Sequence, residues 1–265
     1  MTMFGSTHFW KVWLIPHLMF VIGLCLWPHP AIMWTFFLFY TLISGLGVAV
    51  GFHRYFSHKA FETSHRWQML MLYFGSLACH GNVLFWVALH RGVHHRHSDT
   101  EKDIHSPHAN SWWTAYQGYA FDPDITKKVS LRAAIDLVRQ EEYKTFIEHY
   151  YKILWGTWFV VALVSYIMSW PWLLVGLAAA QVWAIHQEAI VNLLGHLNGF
   201  GAYRNFETRD KSVNRPLLSL ITWGQALHNN HHHDAGNPDF GSVKKFEFDP
   251  SMLWIKLIKS RKVNE

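Results

Sequence analysis

The chain has little cysteine. Cys25 and Cys79 are the only two in 265 residues, each within an apolar run, so neither a disulfide framework nor a thiolate metal site can be built from them. Positive charge is missing from two long stretches: none of the 23 Lys and Arg falls within Val12–His53 or Ile153–Tyr203. No glycine-rich phosphate loop is present, and no pattern points to nucleic acid as a partner. Flavin, haem and iron–sulfur motifs are also missing, so any electron-transfer chemistry would need a separate electron donor. The N-terminus has no basic start and no small-residue cleavage site, so the first apolar run is expected to stay on the chain.

Apolar and aromatic side chains are abundant, at 51% and 17% with 15 Trp. This composition is too oily for an ordinary soluble domain and suits a membrane protein with interfacial aromatic belts. Four runs, at 9–27, 31–52, 153–170 and 172–194, are long enough to span a bilayer, which takes about 20 residues. Pro28-His29-Pro30 separates the first two and Pro171 the last two. The expectation is an all-α integral membrane protein, one domain over 1–265. Four transmembrane helices would form two hairpins beneath a cytosolic helical cap made of 53–152 and 195–265. Lys and Arg then gather on one side, and the positive-inside rule makes that side, with both termini, cytoplasmic. The basic balance, pI about 9.1, fits basic loops beside an anionic leaflet. A fifth run, Trp67–Leu89, has no charged residue. If it spanned the membrane it would separate the histidines on its two sides, and Gln68, Ser76, His80, Gly81 and Asn82 interrupt it. It reads as a cytosolic-side helix or helix pair. The tail, Ser251–Lys259, alternates apolar residues with lysine and reads as interfacial.

Histidine is the other abundance, with 20 residues. Three clusters stand just past apolar runs: His53/His58, His90/His94/His95 and His228/His231/His232. Imidazole is the commonest metal ligand near neutral pH. His228, His231 and His232 share a helix face, and so do His90 and His94. His53 and His58, five apart, would splay by roughly 140° on an α-helix, so they straddle a metal or lie where the helix loosens. Asn192 and His196 form an i, i+4 pair at the end of the fourth run. Nine imidazoles and one amide could hold two ions. Structural zinc needs four ligands and would leave half of them unused. A nitrogen-rich, thiolate-free set suits iron, copper or nickel, and spacing does not choose among them. Asp99 and Asp103 directly follow the second cluster and could accept the second N–H of a ligating ring, with His105 as a further support.

These residues resemble the membrane fatty-acid desaturases, in particular the stearoyl-CoA desaturase-like branch and its bacterial relatives. The likeness rests on Gly51-Phe-His-Arg-Tyr-Phe-Ser-His58, on Trp86 through His94-His95-Arg-His-Ser-Asp-Thr-Glu-Lys-Asp-Ile-His-Ser-Pro107, on Asn192-x-x-x-His196 and on Leu227-His-Asn-Asn-His-His232. It implies a di-iron centre (two Fe) held by His53, His58, His90, His94, His95, His196, His228, His231 and His232, with Asn192 acting through water. O2 would be the co-substrate, and two hydrogens would leave a saturated acyl chain to give a cis, Δ9-like double bond. It also implies a fatty acyl substrate borne on CoA, lipid or acyl-carrier protein, a donor such as ferredoxin or a haem electron carrier, and contact with membrane lipid. Ala88 and Leu89 stand where acyl-CoA members carry an Arg-Asp pair, which leaves lipid- or carrier-bound chains open. Three residues separate His90 from His94 where those members have two. Gln225 stands where relatives often have Glu, and Ile104 replaces a common Pro. Thr41, Gly45 and Trp86 are candidates for the acyl tunnel, although small residues on a span also serve helix packing. A related membrane hydroxylase or oxygenase and a non-enzymatic histidine-rich metal protein are the alternatives.

Overall fold

In a lipid-facing segment every backbone polar group must be satisfied within the chain, so the apolar runs wind into helices. The computed structural model describes residues 6–199 and 201–260, with side chains from Trp10 onward. Helix α1 is Ser6–Leu26 and α2 is Ala31–Tyr40; α2 passes without a break into a π-helical segment, Thr41–Ser57. The cap follows with α3 (His65–Ser76), α4 (Val83–Leu89) and a second π-helical turn, His90–His95. Four short α-helices follow, α5 (Trp112–Tyr116), α6 (Ile125–Lys128), α7 (Ile135–Val138) and α8 (Lys144–Glu148), with three 3-10 turns between them. Two long helices come next, α9 (Tyr150–Met168) and α10 (Pro171–Leu194). Then come α11 (Pro216–Ile221), α12 (His228–His233) and α13 (Ser251–Ile258).

Among the described residues, three helices are long and apolar enough to cross a membrane: Ala31–Ser57, Tyr150–Met168 and Pro171–Leu194. The described side chains of α1 add a shorter apolar helix, Trp10–Leu26; Phe9, where the first expected span begins, has its side chain outside the described residues. Their outward faces are oily, with Trp34 70%, Phe159 69% and Tyr166 84% exposed. Surfaces of that kind suit acyl chains rather than water. The connections are short: Ser169, at φ 55°, turns the chain from α9 into α10, and Pro171 opens α10 where a proline has no N–H to waste.

The uncharged run Trp67–Leu89 is a helix pair rather than one long helix. Cys79 at φ 65° and Gly81 at φ 87° break it, and the Asn82 side chain caps α4 by accepting from Phe85 N at 2.9 Å. Neither piece, of 12 and 7 residues, can span. The pair folds back so that the first and second histidine clusters meet, with His58 Nε2 2.8 Å from His90 Nε2. Gly47 and Gly75 let α3 lie against the π-helical segment: a Cβ on Gly47 would stand 2.3 Å from Gly75 N.

Candidate metal centre

The nine histidines converge, and they sort into two groups. His53, His58, His90, His95 and His231 form one, and His94, His196, His228 and His232 the other; within each, one nitrogen per ring lies within 4.8 Å of all the rest. In the first, the Nε2–Nε2 separations are 2.9 Å for His53–His231, 2.8 Å for His58–His90, 3.0 Å for His90–His95 and 2.9 Å for His95–His231. In the second they are 3.0 Å for both His94–His232 and His196–His228.

Helical winding decides this sorting. A π-helix closes its hydrogen bonds at five residues instead of four, and it is frequent at functional sites. Both π-helical segments bring five-apart histidines together: His58 N bonds to His53 O at 3.2 Å, and His90 meets His95. The expected partnership of His90 with His94 therefore does not form, because the wider winding turns His94 away into the second group. The sequence-adjacent pairs His94-His95 and His231-His232 each give one ring to each group. Two short helices thus hold the groups side by side.

The hydrogen-bond pattern tests whether a cation suits these rings. His94 Nδ1 lies 3.2 Å from Asp103, His196 Nδ1 2.8 Å from Asp99, and His232 Nδ1 2.8 Å from Asp210. A carboxylate only accepts, so each Nδ1 bears the proton and a neutral ring presents a bare Nε2 lone pair. Lone pairs facing each other at 3.0 Å repel unless a cation lies between them or a ring is protonated. Burial opposes protonation: it brings His58 and His94 to about 3 and pushes His90, His95, His228 and His231 well below 6.5. Burial alone would raise the carboxylates, but His196 holds Asp99 at about 2. In the same way, imidazole contacts hold Asp103 and Asp210 well below the carboxylate range. The donor set fits a pair of metal cations.

Surrounding residues fix the rings. Trp86 stacks on His90 with centroids 4.9 Å apart, and Phe240 packs on His231 at 4.5 Å. Phe240 is held in turn by Arg54, whose guanidinium lies 3.8 Å over its ring and pairs with Asp249 at 2.7 Å. Between the α12 histidines, Asn229 accepts from the amides of Asn205 and Phe206, and Asn230 donates to Glu247. His105 lies 3.1 Å from Asp103, misaligned for a hydrogen bond. Gln225 is buried with its Nε2 unpartnered. Reading the sequence missed Asp210, which lies in a loop 22 residues before His232. Its only local signal is that Thr208 and Ser212 hydrogen-bond it.

Beside the first group opens a cavity lined by apolar Phe85, Trp86, Leu89 and Ile185 together with His90 and Asn192. Of the three tunnel candidates only Trp86 faces it. Thr41 and Gly45 are not in its wall, and an added Cβ on Gly45 would stand 2.7 Å from the Trp223 ring.

The sequence profile of the fatty acid desaturase family matches residues 28–240. The chain is 33% identical over 229 residues to an sn-1 stearoyl-lipid 9-desaturase of Anabaena variabilis, covering 84% of this chain and 78% of that one. It is 29% identical over 223 residues to the enzyme of the same name from Synechocystis sp., covering 84% and 67%. It is also 28% identical over 256 residues to an acyl-CoA C20 Delta5-desaturase of Anemone leveillei, covering 92% and 78%. With apolar helices suited to a membrane and two nitrogen-lined groups beside an oily cavity, the chain belongs to the fatty acid desaturase family: it is an oxidoreductase that desaturates fatty acyl chains.

Proposed function

We propose that this chain is an O2-dependent, di-iron acyl-lipid desaturase that makes a cis, Δ9-like double bond. His53, His58, His90, His95 and His231 would hold one iron. His94, His196, His228 and His232 would hold the other, with Asn192 acting through water. The thiolate-free, imidazole-only donor set suits iron, and the five-ring group exceeds the four ligands of structural zinc. When bound, the iron pair supplies O2 activation and removal of two hydrogens from neighbouring methylenes. The protein's own residues do the rest: Asp99, Asp103 and Asp210 set the ring tautomers, Trp86 and Phe240 lock ring orientation, and the cavity presents the chain and excludes water.

The head-group reading rests on Ala88 and Leu89, both buried, with Leu89 in the cavity wall. Neither offers a charge to the CoA end, and of the three relatives named above two are named for a lipid substrate and one for acyl-CoA. The topology proposed is one domain over 1–265, with four spans in two hairpins and a cap of 53–152 and 195–265. The metal site and both termini would be cytoplasmic, on the side where Lys and Arg concentrate. A separate carrier, such as a ferredoxin or a haem protein, would supply the electrons.

The single observation that carries this reading is the pair of nitrogen-only groups opening on an oily cavity. Its test is the fatty-acid profile, with double-bond positions, of a desaturase-deficient host that also expresses an electron donor. The intact protein gives a new monoene at the ninth carbon, and His231→Ala gives none and retains less iron. A monoene from His231→Ala, or an alcohol from the intact protein, would overturn the proposal.

A further inference from the structure

One face of α10 carries a residue that neither metal ligation nor an apolar chain accounts for. Ile185, Glu188, Ala189 and Asn192 recur at three- and four-residue steps, and all four line the cavity. Glu188 thus stands one turn before Asn192 and two before His196. Its Oε2 is buried with no hydrogen-bond partner. Among the described residues, no Lys or Arg lines the cavity, and Glu188 is its only carboxyl. His80, His90, His105, Tyr116 and Tyr119 are the other titratable groups in the cavity wall, and a buried carboxyl with an unpartnered oxygen is less costly to hold as the neutral acid than as an anion. A neutral carboxyl is both a hydrogen-bond donor and a proton source, whereas an amide would be only the former.

Desaturation needs such a source. Turning –CH2–CH2– into –CH=CH– while one O2 becomes two waters uses the two hydrogens of the chain, two electrons from the donor and two protons. A cavity that excludes water must bring those protons in on side chains. A way back to solvent is present. Tyr119 lines both the cavity and an open cap groove that also holds Arg96 and Lys102, and Asn192 shares the cavity wall with it.

We propose that Glu188 is the proton-delivering residue of this cavity. Its O–H bond breaks as an O–H bond forms on oxygen being reduced at the Asn192 end, and the carboxylate left behind is reloaded from the groove past Tyr119. This inference rests on the desaturase reading above, so its test needs a signal that does not depend on turnover.

The first measurement is infrared spectroscopy of the full-length protein at neutral pH, with and without iron. A protonated-carboxyl C=O band that shifts in D2O and is absent from Glu188→Gln is expected. Its absence from the parent overturns the proposal. The second compares the iron-loaded parent, Glu188→Gln and Glu188→Asp. Glu188→Gln is expected to keep its iron and bind substrate, yet to lose at least about tenfold in alkene formed per O2, with hydrogen peroxide released instead. Glu188→Asp is expected to recover part of the coupling. Full coupling in Glu188→Gln, or loss of iron or substrate binding in both variants, overturns the proposal and marks Glu188 as structural. If the parent forms no alkene, it is the desaturase reading that fails, and the infrared band still reports on Glu188.

Discussion

The two histidine groups are built by different means. In the second, three of four rings are tied through Nδ1 to a carboxylate: Asp103, Asp99 or Asp210. In the first, the Nδ1 atoms of His53 and His231 are buried with no hydrogen-bond partner. That group is held instead by π-helical winding and by aromatic contacts from Trp86 and Phe240. One site therefore has its ring tautomers and local negative charge set by anions, and the other has its ring positions set by packing. Charge next to a ligand raises ligand basicity, so the two sites present unequal fields to chemically similar ions.

The largest effect is expected on the packed side. Phe240 is 2% exposed and touches His231, His53 and the Arg54 guanidinium. Replacing it with Ala removes a buried ring, a change that costs about 3–5 kcal/mol. Thermal unfolding in detergent is expected at a clearly lower temperature, and iron titration is expected to weaken the first site more than the second. Equal weakening of both sites would erase the distinction. On the charged side, Asp210→Asn keeps shape but removes the anion behind His232. Changes of this kind lower metal affinity by about 10–100-fold. Competition with a chelator is expected to release one of two iron equivalents early, while the other holds as in the parent. Unchanged release of both would show that Asp210 does not tune the site.

Much of the centre was legible because its signal is local. Histidine spacing past apolar runs marked all nine rings, and the interruption at Gly81 and Asn82 identified the helix pair that turns the chain back. Two other features were not legible. Spacing rules assume 3.6 residues per turn, so no periodicity argument at His90–His95 could foresee a π-helix that exchanges His94 for His95. Asp210 is brought in by the fold of the 203–214 loop, through the Tyr203–Asn214 bridge and Asn229. Such long-range closure leaves no mark at fixed offsets from His232. Glu188 stands eight residues before His196 in the sequence, but its place in the cavity wall depends on which face of α10 the cap covers.

The same helix that carries His53 also tests where the acyl chain lies. On its other side Gly45 meets Trp223, and a methyl group there would stand 2.7–2.9 Å from the indole ring, closer than carbon atoms tolerate. Gly45→Ala must displace Trp223, whose backbone carbonyl accepts from Ser251 Oγ at 2.7 Å. Overpacking of a buried contact typically costs about 1–3 kcal/mol, and a single methyl against a ring that can tilt belongs at the low end. The melting temperature is therefore expected to fall modestly while the chain-length profile of the products stays that of the parent, because the cavity runs past Trp86 and Leu89 rather than past Gly45. A shift of the products toward shorter chains in Gly45→Ala would instead carry the acyl tunnel along the π-helix, and the cavity beside His90 would then be only its beginning.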